Sequence, residues 1–230
     1  YGGLRMSDTT VNPSNQSGIS EREQNNTIIF VQNSGSPSKK PFKEMMVASE
    51  LGFQVVFLGL QNHEDAPNNP PIPDMKMDVV RIPIFGRKWL IPVVWFIWIF
   101  VAAFRLRRHS PQIIHSYDLV AGIAAYFGSK KASRFIFEAL DPFWVRYDVK
   151  MIRPIIKAVE DFLCRKADVL VTVDHNRLYL VPEDLRPSCK VIYNTPPDLY
   201  KASLNVREST IGLDGKKIYV NGWLKRARGF

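Results

Sequence analysis

The stretch IIHSYDLVAGIAAYFGSKKASRFIFEALD, residues 113–141, holds the reading that decides the fold. Two short apolar runs, Ile113–Ser116 and Phe135–Glu138, flank a longer segment of helix length, Leu119–Lys130. Each run is apolar through most of its length instead of alternating, which is what a strand covered on both faces by helices needs. Strand, helix and strand in this order make a crossover unit, and such a unit sets its two strands parallel.

The same rhythm extends in both directions. Upstream strand candidates are Ile28–Gln32, Gln54–Leu58 and Val79–Ile82, and downstream ones are Val169–Val173, Lys190–Tyr193 and Lys217–Val220. Helical segments are expected over Phe42–Leu51, Trp89–Arg108 and Met151–Lys166. The prediction is an α/β fold with a doubly wound, mostly parallel, Rossmann-like sheet. Residues 1–26 are Ser-, Asn-, Gln-, Thr- and Gly-rich with little to bury, so they read as a disordered tail, and no apolar core follows a basic start as a signal peptide would require. The first domain is expected over 27–200, a polar linker over 201–215 ending in the Asp214-Gly215 turn, and the start of a second domain over 216–230.

Composition narrows the partners. With 230 residues, a net charge of +9 and a pI near 9.6, the chain favours an anionic partner: nucleic acid, an anionic membrane surface or a phosphorylated small molecule. The basic residues are scattered and no helix-turn-helix, finger or RNA-binding signature appears, so no nucleic acid is expected. Cys164 and Cys189 have no metal-ligand spacing and are too few for a disulfide framework, which points to a reducing compartment and to no metal site. A nucleotide-sugar epimerase would need a glycine fingerprint after the first strand and a Tyr-x-x-x-Lys pair; Tyr147 has Met151 four places on.

In a doubly wound sheet the ligand crevice lies beyond the carboxyl ends of the strands. The residues there are Asn33-Ser34-Gly35-Ser36, His115-Ser116-Tyr117-Asp118, Glu138-Ala139-Leu140-Asp141, Asp174-His175-Asn176, Asn194-Thr195 and Asn221-Gly222. Polar and ionisable groups are gathered at one edge, although turns are polar for conformational reasons as well.

The succession IIHSYD, FIFEALD, a long helix ending CRKADVLVTVD, KVIYNTPPD and IYVNGWLKRARG resembles the amino-terminal half of family 4 glycosyltransferases of the two-Rossmann-domain, GT-B architecture. The resemblance runs from Thr27 to Phe230 and rests on the order and spacing of motifs that are individually weak. It implies a retaining transferase that moves a sugar from a nucleotide-sugar donor to a saccharide or lipid-linked acceptor, with no cofactor and no metal requirement. It also implies a chain that stops as its donor-binding half begins and is inert alone.

Residue by residue, the resemblance places Glu138, Asp141 and His115 at the catalytic position and Ser34, Gly35, Ser36 and Asp118 around the acceptor. Asn194, Gly222, Lys225, Arg228 and Gly229 fall on the donor side, where glycine lets backbone approach a diphosphate and a following cation donates to its oxygens. Two departures stand out: Leu140 occupies the family's histidine position, and Trp223 stands where an arginine directly follows the first glycine. The loop Asn33–Pro41 can hold an anionic or hydroxyl-rich acceptor on its backbone amides, with Lys39, Lys40 and Lys43 adding positive potential; the alternative readings are an ordinary turn with solvated lysines for that loop, an ordinary strand-end histidine for His115, and a solvated basic loop for 222–229.

Trp89–Phe104 carries no charge. As a helix it rises about 24 Å, short of the roughly 30 Å hydrocarbon core, so a simple span is not expected. Its flanks Arg87-Lys88 and Arg105–Arg108, with Trp89, Trp95 and Trp98, suit a helix at a lipid headgroup boundary; a buried crossover helix is apolar all round too. Peripheral membrane contact through 87–108, on the cytoplasmic face, is therefore one expectation, and a non-catalytic membrane-associated scaffold is the alternative to a transferase.

Overall fold

The computed structural model describes residues 26–61, 75–82, 90–140, 143 and 151–194. Strands β1 (Thr27–Gln32), β2 (Gln54–Gln61), β3 (Lys76–Arg81), β4 (Ile113–Tyr117), β5 (Arg134–Ala139), β6 (Val169–Thr172) and β7 (Lys190–Val191) form one sheet in the order β3-β2-β1-β4-β5-β6-β7. Every neighbouring pair is parallel, with Phe30 opposite His115 and Tyr117 opposite Glu138. The order reverses direction between β1 and β4, and it is at such a switch point that a crevice opens.

Helices α1 (Lys39–Glu50), α2 (Ile91–His109), α3 (Asp118–Gly128) and α4 (Arg153–Lys166) cover the sheet. Successive residues of a strand point to opposite faces, and β1 separates its apolar side chains accordingly. Ile28 and Phe30 pack with Met45 and Ala48 of α1, whereas Ile29 and Val31 join the larger core under α2, α3 and α4. The apolar runs of the sequence are thus strands buried on both faces.

The element ends shift for local reasons. Helix α1 begins at Lys39 and not at Phe42, because Pro41 falls in the first turn, where its missing N–H has no intrahelical partner to lose. Strand β3 begins at Lys76, three residues before the expected Val79, since it pairs along Val56–Gln61. Helix α2 carries Pro92 in its first turn, and Ser110 closes it in the left-handed region with φ 47°. The chain divides into two units after Thr195, and every described residue belongs to the first. The expected linker, the strand Lys217–Val220 and the second domain lie outside the described residues.

Trp98 pins α2 to the sheet. Its ring is fully buried and its Nε1–H donates to the Gly59 carbonyl at 3.2 Å. Trp98→Ala removes both the packing and the hydrogen bond, and a loss of about 3–5 kcal/mol is expected in urea unfolding. A loss under about 1 kcal/mol would show that α2 is not anchored there.

Candidate functional site

The site is built from the loop after β1 outward. Gln32, at the last position of β1, folds its buried amide onto the loop: Nε2 donates to Ser38 Oγ at 2.9 Å, and Oε1 accepts from the Ser38 amide at 3.1 Å. Ser34 Oγ donates to the Ser36 carbonyl, and the Ser34 carbonyl accepts from the Leu60 amide at 3.0 Å. The loop approaches β2 so closely that a Cβ on Gly59 would lie 2.5 Å from the Ser34 carbonyl oxygen. A residue without a side chain is required at that point, and Gly59 keeps the loop where the strand ends.

Beyond the loop, Lys40 turns inward. Its side chain is 5% exposed and its ammonium pairs with Glu138, which is fully buried at the end of β5. The same Nζ lies 3.5 Å from Glu44 one helical turn on, and donates to the Ile192 carbonyl at 3.0 Å, just past β7. His115 completes the cluster, with Nε2 3.2 Å from Glu138 Oε2 and 3.9 Å from Glu44 Oε2, and its ring stacks on Tyr117 at 4.6 Å. The Tyr117 hydroxyl donates to Glu44. Strand period places His115, Tyr117 and Glu138 on the α1 face together, because Tyr117 and Glu138 are register partners and His115 is two residues from Tyr117.

The electrostatics follow from burial. Burial, reinforced by the charge on Glu138, raises the Glu44 carboxyl above its ordinary value, against the opposing pull of His115, Tyr117 and Lys40. Burial and the two carboxylates likewise raise the Tyr117 phenol well above its ordinary value, so it stays protonated and donates. Glu44, His115 and Glu138 bring ligand atoms within 4.8 Å of one another, a spacing that a cation can occupy. The Lys40 ammonium already supplies positive charge there.

Above this cluster a cleft of about 590 Å³ opens at the carboxyl edge of the sheet. Its wall is Ser38, Lys39 and Lys40 from the amino end of α1, Leu140 after β5, Val173, Asp174 and Arg177 after β6, and Tyr193 and Asn194 after β7. Asp174 caps the short turn His175–Leu180 by accepting from the Asn176 amide at 2.9 Å, and Arg177 donates to the Leu140 carbonyl. The cleft therefore presents a helix amino terminus, three cations, one carboxylate and an aromatic ring, a set suited to a hydroxyl-rich or anionic ligand.

The sequence-predicted residues separate into groups. Asn194 and Leu140 both line the cleft. Glu138 and His115 lie together beneath it. Ser34 and Ser36 shape the loop, but the cleft wall begins at Ser38. Asp118 stands at the start of α3 in the left-handed region with φ 64°, facing a separate small cavity that Glu160 and Arg177 also line. Asp141, Gly222, Lys225, Arg228 and Gly229 lie outside the described residues. Glu44, Arg177 and Tyr193 were not among the expected site residues, and Lys40 was expected only as added positive potential beside the loop. The one available signal was the i, i+4 spacing of Lys40 and Glu44, which on an isolated helix reads as a solvated pair.

Residues 46–177, more than half of the chain, match the profile of the glycosyl transferase 4-like domain. No curated protein sequence matches at a significant level. Among solved structures the chain is similar to a sucrose-phosphate synthase from Thermosynechococcus elongatus, with a TM-score of 0.52 at 12% identity over 78% of this chain and 52% of that one. A weaker likeness is to an α,α-trehalose-phosphate synthase (UDP-forming) from Burkholderia vietnamiensis, with a TM-score of 0.45 at 14% identity over 69% of this chain and 42% of that one. The chain spans about half the length of the first structure, and at such identity the likeness speaks to the fold alone.

The small cavity beside the cleft yields a pH test. Burial raises the Glu160 carboxyl from 4.5 to about 7, although the Phe143 amide donates to it at 2.8 Å and pulls the other way. A carboxyl raised on folding holds its proton after the unfolded chain has lost it, so stability falls as pH rises from about 4.5 to about 7. Glu160→Gln is expected to flatten that part of the stability curve in urea titrations across the range. An unchanged slope would remove Glu160 as its source.

Proposed function

The chain belongs to the glycosyl transferase 4-like family, and on that premise we propose that it forms the acceptor side of an enzyme that moves a sugar from a nucleotide-sugar donor to a saccharide or lipid-linked acceptor. The observation that carries this reading is the cleft at the carboxyl edge of a parallel sheet, walled by the amino end of α1 and by the residues after β5, β6 and β7. A hydroxyl-rich acceptor suits such a wall: Asp174 accepts, Lys39 and the α1 amino terminus donate, and Tyr193 offers a flat face to a sugar ring.

In the proposed reaction an acceptor hydroxyl oxygen bonds to the anomeric carbon of the donor sugar while that carbon's bond to the diphosphate breaks. The diphosphate leaves with the bonding electrons, and the hydroxyl proton passes to a base. The resemblance assigns stabilisation of the leaving diphosphate to Arg228, next to Gly229, with Lys225 or Arg226 standing in for the arginine that Trp223 replaces after Gly222, and with Asn194 at the crossover. It leaves orientation of the acceptor hydroxyl to Glu138, Asp141 or His115, and of these we assign it to Asp141, the residue that follows Leu140 in the chain; retention of anomeric configuration belongs to the reaction as the resemblance implies it. Glu138 and His115 act as positioning residues in this reading, since Glu138 is fully buried and reaches the cleft through Lys40. Ser34, Gly35 and Ser36 set the height of α1 against the acceptor, and Asp118 fixes the start of α3 beside Arg177.

The test is transfer of labelled sugar from a panel of nucleotide sugars to saccharide and polyprenyl-phosphate acceptors, in a protein carrying both domains and in residues 1–230 alone. Turnover is expected in the first and none in the second, because one wall of an interdomain cleft orients only one substrate. Asp174→Asn and Lys39→Ala are each expected to lower turnover on the order of tenfold to a hundredfold at unchanged melting temperature. Full activity of both variants would remove the cleft from the reaction.

A further inference from the structure

From Ile91 to Phe104 helix α2 is apolar all round, yet the core uses only one side of it. Val94, Trp98, Ala102 and Leu106 are buried against the sheet and α3. On the opposite side Val93, Phe96, Ile97, Phe100 and Phe104 are 50%, 62%, 45%, 61% and 68% exposed. Their spacing of three, four, seven and eleven residues from Val93 puts all five on one face of the helix. An exposed stripe of this kind marks an interaction surface on a protein that otherwise keeps large apolar groups in. The residues that carry it differ from the sequence expectation: Trp98 is buried, Trp95 packs edge-on against Phe143 at 5.4 Å, and Trp89 lies outside the described residues. Phenylalanines take the outward positions the tryptophans were expected to hold.

The charge around the stripe indicates its partner. The same face of α2 continues past Phe104 into exposed Arg107 and Arg108. Arg107 Nε donates to the carbonyl of Phe127, itself 54% exposed at the end of α3, and exposed Lys130 and Lys131 follow. From Leu90 to Phe137 the chain holds six cations, Arg105, Arg107, Arg108, Lys130, Lys131 and Arg134, against one acid, Asp118. Asp118 sits at the amino end of α3, by the small cavity that Glu160 and Arg177 also line, at the opposite end of that helix from Phe127. Asp78 is engaged by Arg105 and lies 3.4 Å from His109, whereas exposed Arg107 and Lys130 meet only neutral oxygens in hydrogen bonds among the described residues, the Phe127 carbonyl and Ser110 Oγ, and Arg108 and Lys131 are exposed beside them.

We propose that this face lies along an anionic lipid bilayer, with Phe96, Phe100 and Phe104 in the boundary between headgroups and acyl chains and Arg107, Arg108, Lys130 and Lys131 on lipid phosphates. No helix among the described residues is long and apolar enough to cross a membrane, so the contact is parallel to the surface. A second copy fits the stripe less well, because it brings the same cations and a net charge of +9 to an interface without acids to meet them. The proposal stands on this face alone and does not depend on sugar transfer.

The test is co-sedimentation of the chain with vesicles of phosphatidylcholine alone and of phosphatidylcholine with phosphatidylglycerol. Binding is expected to the second and not the first, and to weaken as salt rises. Phe96→Ser/Phe100→Ser/Phe104→Ser is expected to abolish it, and Arg107→Ser/Arg108→Ser to weaken it by about an order of magnitude. Circular dichroism and melting check that the variants fold; if the triple variant does not, the arginine pair and Phe100→Ser alone carry the test. Absence of vesicle binding, or binding that the variants leave unchanged, overturns the proposal. So does sedimentation velocity showing a dimer that the phenylalanine variants turn into monomer, since the face is then a contact between copies.

Discussion

The Lys40 ammonium is the point on which the candidate site depends. It joins Glu138 at the end of β5, Glu44 on α1 and the Ile192 carbonyl beyond β7, groups that lie 98 and 152 residues away in the first and last cases. A buried carboxylate without a partner is costly, and so is a buried ammonium; each is tolerated here because the other is present. Removing one partner of such a pair costs about 3–5 kcal/mol, far more than the pair contributes over an apolar replacement. The cluster therefore works as a constraint: the first turn of α1 cannot move from the sheet edge without stranding Glu138.

The rest of the cleft follows from that constraint. With α1 fixed, the loop before it is held by the Gln32 amide on one side and by the close approach at Gly59 on the other. Gly59 also offers its carbonyl to Trp98, so the strand that seats the loop seats α2 as well. The two faces of the sheet serve different ends. The single described helix on one face, α1, covers the ionic cluster, while α2, α3 and α4 on the other bury most of the hydrocarbon and leave the outer side of α2 in solvent.

Much of the fold was legible in the sequence because its signal is local. Runs such as Ile28–Gln32 and Phe135–Glu138 are apolar at consecutive positions, and a parallel strand buried on both faces is the structure that needs this. The candidate site was legible in part: Asn194 and Leu140 could be placed because the edge of a parallel sheet follows from strand order. Lys40 could not. In the sequence it stands between Lys39 and Pro41 in a polar loop, where it reads either as added positive potential beside the acceptor or as a solvated lysine, and only the fold brings Glu138 beneath it. Trp95 and Trp98 misled for a related reason, since periodicity fixes which residues of α2 share a face but not which face meets the sheet.

Hydrogen exchange on the chain and its Lys40→Met variant tests the central claim, that one buried ammonium ties the first turn of α1 and the ends of β5 and β7 into a single cleft floor. The account predicts that amides of Ser34–Phe42, Glu138–Leu140 and Val191–Asn194 lose protection together, with those of Ile91–His109 unchanged. Loss confined to the first turn of α1, with the ends of β5 and β7 as protected as before, would contradict it.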